Sequence, residues 1–221
     1  MQKQYSPAEI ERESMAIIQA ELNRMGVSFS ELNARILKRV IHTSADFEYA
    51  ETLTFTPGAA EAGVEAVRLG GTIITDTNMA KAGVSESGLK KLGGQVLCFM
   101  ADPKVADDAK RQGTTRAAAA MNKAAGEYPG AVLAVGNAPT ALFSLERHIR
   151  RGYRPSLVIG VPVGFVNVVE AKESMLALCN EQRIPAIIAR GRKGGSGIAA
   201  AICNALIYTA AGMTDPSSRG W

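Results

Sequence analysis

The sequence predicts an α/β fold, a three-layer α/β/α arrangement around a largely parallel sheet of about six strands, with two helices ahead of it. Three observations predict it. Six short apolar runs recur along the chain: TLTFT (52–56), TIITD (72–76), QVLCFM (95–100), AVLAVG (131–136), SLVIGV (156–161) and PAIIAR (185–190). Most of them are nearly continuous in Val, Ile, Leu and Ala, as strands covered on both faces require. The segments between them, such as 57–69, 103–111, 139–151 and 165–182, are long enough for right-handed helical crossovers.

The two leading helices have their own signals. Ser6-Pro7-Ala8-Glu9 reads as a capping box with proline at the first helical position. Ile10, Ile17, Ile18, Leu22 and Met25 follow at helical spacing, so a helix is expected over 7–25, stopped by Gly26. Leu32, Ile36, Val40 and Ile41 mark a second amphipathic helix ending around His42. The whole chain, 1–221, reads as one domain, because no repeat, low-complexity tract or linker interrupts it. The last residues, DPSSRGW, read as a mobile tail.

Composition narrows the function. Hydrophobic residues at 47% and charged residues at 21% are those of an ordinary globular chain, which excludes a disordered one. Cys98, Cys179 and Cys203 are odd in number and far apart, suiting neither a disulfide framework nor a paired-cysteine metal site, so they read as reduced cytoplasmic thiols. The N-terminal segment mixes charges of both signs with no apolar run, which is not a signal peptide. The longest apolar stretch, 198–213, is too short for a bilayer and contains Asn204, so no membrane partner is expected. The net charge is +4, but the basic residues are scattered and not interleaved with aromatics. That favours an anionic small molecule over nucleic acid.

In a parallel sheet, ligands sit outside the carboxyl ends of the strands, which directs attention to TDTNM, GNAPT, PVGF and RGRKGGSG. The run Gly191-Arg192-Lys193-Gly194-Gly195-Ser196-Gly197 joins a strand to an Ala-rich helix. Backbone N–H groups, the helix dipole and the cations Arg192 and Lys193 there favour an anion, whereas tight strand-to-helix packing would also call for the glycines. Gly195, Gly197 and Ala200 have dinucleotide-fingerprint spacing, but no later strand supplies an acidic ribose partner. Nor is the run a P-loop or a nucleophile elbow.

Only two histidines occur, His42 and His148, so no multi-histidine metal site can form. His148 stands with Arg147, Arg150 and Arg151 near a helix end, where dipole complementarity explains it. For His42 the pattern leaves a structural histidine and an acid–base group both open. Ser14 shares a helical face with Ile10, Ile17 and Ile18, where a hydroxyl usually bonds back to the preceding turn. Arg116 opens the run Arg-Ala-Ala-Ala-Ala-Met, a helix start where the dipole disfavours a cation. It is either an ordinary surface arginine or a group held there for a ligand carboxylate.

Together these segments resemble the precorrin-8X methylmutase family, which includes the cobalt-precorrin-8 methylmutases. The resemblance runs from Glu13-Ser14-Met15-Ala16-Ile17-Ile18 through Val40-Ile41-His42, Asp76-Thr77-Asn78-Met79 and Thr115-Arg116-Ala117 to Gly136-Asn137-Ala138-Pro139-Thr140, Pro162-Val163-Gly164-Phe165-Val166 and Arg190-Gly191-Arg192. It implies an isomerase of cobalamin biosynthesis that moves a methyl group from carbon 11 to carbon 12 of a tetrapyrrole, with no external methyl donor and no cofactor or protein-bound metal. It implies His42 as the proton donor, with Ser14, Thr77, Met79 and Arg116 lining the substrate pocket and Asp76 orienting instead of reacting. The substrate's acetate and propionate groups are natural partners for Arg116, Arg192 and Lys193. The family further implies a homodimer with the site near the subunit interface. The chain departs from the family pattern at Thr77-Asn78 and just after His42, so neither place is assigned a catalytic role. A silent corrinoid carrier and a nucleotide-dependent oxidoreductase are the alternative classes, the first losing dependence on His42 and the second needing pyrophosphate at the Gly-rich turn.

Overall fold

The computed structural model describes residues 5–219. Helix α1 (Pro7–Arg24) starts as its sequence dictates: the Ser6 side chain accepts from the Glu9 N–H, and the Glu9 carboxylate accepts from the Ser6 N–H, with Pro7 in the first turn. Its buried face is not the expected one. Ile18 and Leu22 are buried, but Ile10 and Ile17 are exposed, because the inward seam runs one residue over, through Glu11, partly buried Met15, Ile18 and Leu22. Helix α2 (Glu31–Ser44) is capped by the Ser30 hydroxyl, buries Ile36, Leu37, Val40 and Ile41, and ends on Ala45 in the left-handed conformation.

A short helix α3 (Tyr49–Thr52) leads into β1 (Leu53–Phe55), and helix α4 (Ala59–Arg68) crosses to β2 (Thr72–Thr75). Two short helices, α5 (Asn78–Gly83) and α6 (Glu86–Lys91), precede β3 (Gln95–Cys98). Helices α7 (Pro103–Arg111) and α8 (Arg116–Glu127) lead to β4 (Val132–Val135), α9 (Pro139–Arg150) to β5 (Leu157–Gly160), and α10 (Val168–Glu181) to β6 (Ala186–Ala189). Helix α11 (Ser196–Ala210) is followed by a 3-10 turn, Pro216–Arg219. Among the described residues, no helix is long and apolar enough to cross a membrane.

The strands form one sheet in the order β1-β6-β5-β4-β2-β3, all neighbours parallel except β1, which runs antiparallel along β6 with Leu53 opposite Ala189. Alternate strand residues feed two cores. Ile73, Val132 and Ala134 face a layer that includes α2, α4 and α11, whereas Ile74, Leu133 and Val135 face α8, α9 and α10. The chain winds outward from β2 to β3, then returns across β2 to lay down β4, β5 and β6 on the other side. The strand order therefore switches between β2 and β4, and in parallel sheets the carboxyl ends at such a switch are where ligands bind.

The C-terminal segment is pinned, contrary to its reading as a mobile tail. The Arg219 side chain is nearly enclosed, its guanidinium donating to Glu11 and to the Met213 and Thr214 carbonyls. Gly220 and Trp221 lie outside the described residues.

Candidate active site at the carboxyl edge of the sheet

Four connections assemble one edge from segments distant in sequence. Asp76, just past β2 and fully buried, receives three backbone N–H bonds of 2.8 Å, from Gly136 on one oxygen and from Asn137 and Ala138 on the other. Burial raises its carboxyl above the usual carboxylate value while these N–H groups oppose the rise. Thr77 caps α5 by accepting from the Ala80 N–H, and its hydroxyl lies 2.7 Å from that of Ser196 at the start of α11. Gly136 is glycine because a Cβ there would lie 2.9 Å from the Ser196 Cα. The Thr115 hydroxyl, which caps α8, lies 2.7 Å from that of Thr140 in α9.

The cations of this edge differ in how they are committed. Arg116, at the first position of α8, is exposed and forms no ion pair with a described residue. Arg192 is also exposed, and its guanidinium stands 5.7 Å from the ring centre of Phe165, itself 83% exposed. Lys193 instead pairs with Asp46 at 2.6 Å and Glu48 at 2.7 Å. Those two carboxylates, Asp46 foremost, hold its ammonium well above the usual lysine value. Lys193 thus ties the Gly-rich turn to the chain following α2, and Arg116 and Arg192 are left as the cations facing outward.

His42 lies in the last turn of α2, partly buried, and its ring forms no hydrogen bond with a described residue. Its neighbour Thr43 approaches Gly197 at the start of α11, which brings the end of α2 to this edge. Burial lowers the imidazole below its ordinary value, and Arg39 and Arg219 push the same way, against Glu11. Met79 is exposed beside Thr77. Ser14, partly buried on α1, is the exception: its hydroxyl donates to the Ile10 carbonyl at 2.8 Å and makes no hydrogen bond to a described residue of the edge. His148 is 2.9 Å from the Asn122 amide oxygen, a local structural contact. A separate recess of about 810 Å³ lies between α1, α2 and the far end of α11, lined in part by Met15, Phe29, Lys38 and Tyr208, away from where these residues converge.

Sequence reasoning missed Asp76's full engagement with the GNAP turn, the Lys193 ion pairs and a buried lysine, Lys172, beneath the Gly-rich turn. For Lys172 a signal existed: it follows Val168 by four residues on an otherwise apolar helix face with Met175 and Cys179. Asp76 yields a direct test. In Asp76→Asn the amide NH₂ must oppose at least one of the three backbone N–H donors, leaving a buried N–H unpaired at a cost of about 1–3 kcal/mol. Thermal melting should register that loss, and a variant as stable as the parent would show that the turn does not depend on the carboxylate.

The comparisons with known proteins fall in line with this architecture. The family model described as precorrin-8X methylmutase matches residues 9–209. A cobalt-precorrin-8 methylmutase of Priestia megaterium is 41% identical over 94% of this chain and 91% of that protein. The cobalt-precorrin-8 methylmutase of Salmonella typhimurium strain LT2 is 42% identical over 91% of this chain and 95% of its own length. Among solved structures, the precorrin-8x methyl mutase of Thermus thermophilus superposes with a TM-score of 0.83 at 40% identity, covering 92% of this chain and 98% of that one. With a family model spanning most of its length and relatives of that likeness along nearly all of it, the chain belongs to the precorrin-8X methylmutase family and is an isomerase of cobalamin biosynthesis.

Proposed function

We propose that the carboxyl edge of the sheet holds precorrin-8X or its cobalt-bearing counterpart while His42 donates a proton to the macrocycle as the methyl group passes from carbon 11 to carbon 12. The observation that carries this reading is the convergence of two outward, acid-free cations, Arg116 and Arg192, on the edge that the end of α2 brings His42 towards. A macrocycle bearing many carboxylates meets those cations as charge-assisted partners. The exposed apolar side chains of Met79, Phe165 and Val166 supply surface for its hydrophobic body. Protonation of the macrocycle makes it more electron-poor at the migrating centre, which is the assistance a general acid gives. The methyl group and any cobalt arrive with the substrate. Thr77 holds the floor together through Ser196, and Ser14, partly buried on α1 with its hydroxyl bonded to the Ile10 carbonyl, is a candidate pocket wall.

The working unit in this reading is a cytoplasmic homodimer. Three cysteines, all free and two of them buried, suit a reducing compartment. Ile10 and Ile17 on α1, with Phe165 and Val166 at the edge, are larger exposed apolar surfaces than a free protomer needs, and closed two-fold association would cover them.

Two measurements test the reading. Assayed side by side with metal-free and cobalt-bearing precorrin-8, the protein should convert at least one, and conversion of neither would sink it. Arg116→Ala should chiefly weaken binding, by about 1.5–3 kcal/mol where the carboxylate contact excludes water and by less where it stays wet. Product affinity that is unchanged in this variant and insensitive to salt would remove Arg116 from the site.

A further inference from the structure

Lys172 is fully buried, yet its ammonium forms no ion pair with a described carboxylate. From α10 its ammonium donates to two carbonyls of the Gly-rich turn, Gly191 at 2.9 Å and Lys193 at 2.7 Å. A buried cation spent on two neutral carbonyls is costly unless it fixes something the fold would not otherwise adopt.

Peptide geometry shows what it fixes. In a trans peptide the carbonyl of one residue and the N–H of the next point in opposite directions. With the Gly191 and Lys193 carbonyls drawn inward to Lys172, the N–H groups of Arg192 and Gly194 are turned away from the interior. The carbonyl between them, that of Arg192, accepts from the Gly164 N–H at 3.2 Å. The N–H groups of Arg192, Lys193 and Gly194 make no backbone bond to a described residue, whereas Gly195 closes the turn by donating to the Val161 carbonyl at 2.8 Å. The Arg192 and Gly194 N–H groups, turned the same way by the two inward carbonyls, are donors that one anion can bridge. The exposed Arg192 side chain stands over the same turn.

We propose that Lys172 is a positioning residue of the methylmutase, which holds the carbonyls of the Gly-rich turn inward so that the Arg192 and Gly194 N–H groups, with the Arg192 guanidinium, receive one substrate carboxylate. The inference rests on the reading that this edge binds the substrate, and it assigns the turn's backbone, not only its side chains, to the recognition of a carboxylate. The charged groups around the ammonium are Glu173, itself paired with Arg190 at 2.8 Å, and the turn's own Arg192 and Lys193, the latter held by Asp46 and Glu48. Burial brings the Lys172 ammonium down to about 8, only partly offset by Glu173. The neutral amine still carries an N–H for each of the two carbonyls, so the latch persists in either protonation state.

The test is hydrogen exchange read with binding and turnover, on the full-length protein. Lys172→Met should speed exchange of the Gly164 and Gly195 amides, the N–H groups that bond to the Arg192 and Val161 carbonyls, about tenfold, because the turn opens locally, while the sheet amides keep their protection. Affinity for the product corrinoid should fall by about tenfold, equivalent to ~1.4 kcal/mol, with kcat changed less than KM. Lys172→Gln, which retains an N–H donor on a shorter arm, should recover part of both losses. Gly194→Ala reaches the turn by another route, since its Cβ would lie 2.1 Å from the Val161 carbonyl oxygen, and should reproduce the loosening with Lys172 intact. Parental exchange at Gly164 and Gly195 in Lys172→Met, or in Lys172→Gln should the first variant not fold, would overturn the proposal. So would a loosened turn that binds product with parental affinity while Arg192→Ala binds it weakly. Undiminished product binding by Arg192→Ala is a different failure: it removes the substrate from this edge, and the exchange data still report whether Lys172 shapes the turn.

Discussion

His42→Ala should lose turnover by about 10²–10⁴ while still binding the product corrinoid, because a proton donor acts on the transition state more than on the bound ground state. The variant should fold normally, since the ring is only partly buried and makes no hydrogen bond with a described residue. The pH dependence follows from the sign of the imidazole's displacement. Burial first, then Arg39 and Arg219, lower it below its ordinary value, so in the free enzyme the protonated form is lost at a lower pH than for an unperturbed histidine. The value of kcat/KM should therefore fall with rising pH on a limb centred below the ordinary histidine value, about 6.5. Substrate carboxylates brought near the ring favour the imidazolium, so the corresponding limb of kcat should lie at higher pH. Added S-adenosylmethionine, NAD or divalent metal should not restore the variant, because the migrating methyl travels with the substrate. Near-parental conversion of precorrin-8X by His42→Ala, followed by the product's visible absorption, would refute the acid and leave catalysis to shape and binding.

Much of the fold was legible because its signals are local. Each of the six apolar runs became a strand, trimmed by one or two residues at its ends, and Ser6-Pro7-Ala8-Glu9 forms the capping box its order implies. The direction of β1 was not legible, since antiparallel pairing along β6 is decided by a partner more than a hundred residues away and leaves no mark on a three-residue run. Four segments of the candidate site were legible as strand ends, whereas His42 and Arg116, at a helix end and a helix start, were marked only by the family resemblance. What escaped was how their charges are spent. Lys193 looks like a free cation in sequence, and only folding brings Asp46 and Glu48 to it. The N-terminal helix was misread for a related reason. Ile10 and Ile17 suggested the inward face, whereas the seam passes through Glu11, a charge that apolar periodicity counts against burial. Glu11 and Lys172 teach the same lesson: a single charge on an otherwise apolar helical face marks a buried partner elsewhere in the chain.

Glu11→Ala should be the most destabilising single change considered, costing about 3–5 kcal/mol, the usual consequence of removing one member of a buried ionic cluster. Its carboxylate binds the Arg39 guanidinium at 2.6 Å and the Arg219 guanidinium at 2.6 and 2.8 Å. The side chains of Glu11 and Arg219 are only 9% and 4% exposed, so removing the acid leaves two nearly enclosed cations without their carboxylate. Both guanidiniums also face the Tyr208 ring, at 5.4 and 4.2 Å from its centre, which keeps them close together once the acid has gone. For a chain of this size a loss of that order lowers Tm by roughly 2–4 °C per kcal/mol. Glu11→Gln should cost less, since its amide oxygen can still accept from one arginine. The pH sign separates charge from packing. Burial alone would raise Glu11, but Arg39 and Arg219 together hold it below the usual carboxylate value. Its contribution is therefore complete above the unfolded carboxyl value and is lost as pH falls through the folded one, so parent and Glu11→Gln should converge in stability on acidification. The same substitution reaches the proposed acid, because Glu11 is the group that opposes Arg39 and Arg219 at His42. Without it the imidazole should be lowered further, and the limb of kcat/KM should move to still lower pH. A Glu11→Ala protein that melts with the parent and keeps its pH profile would show that neither the C-terminal anchorage nor the charge at His42 depends on this carboxylate.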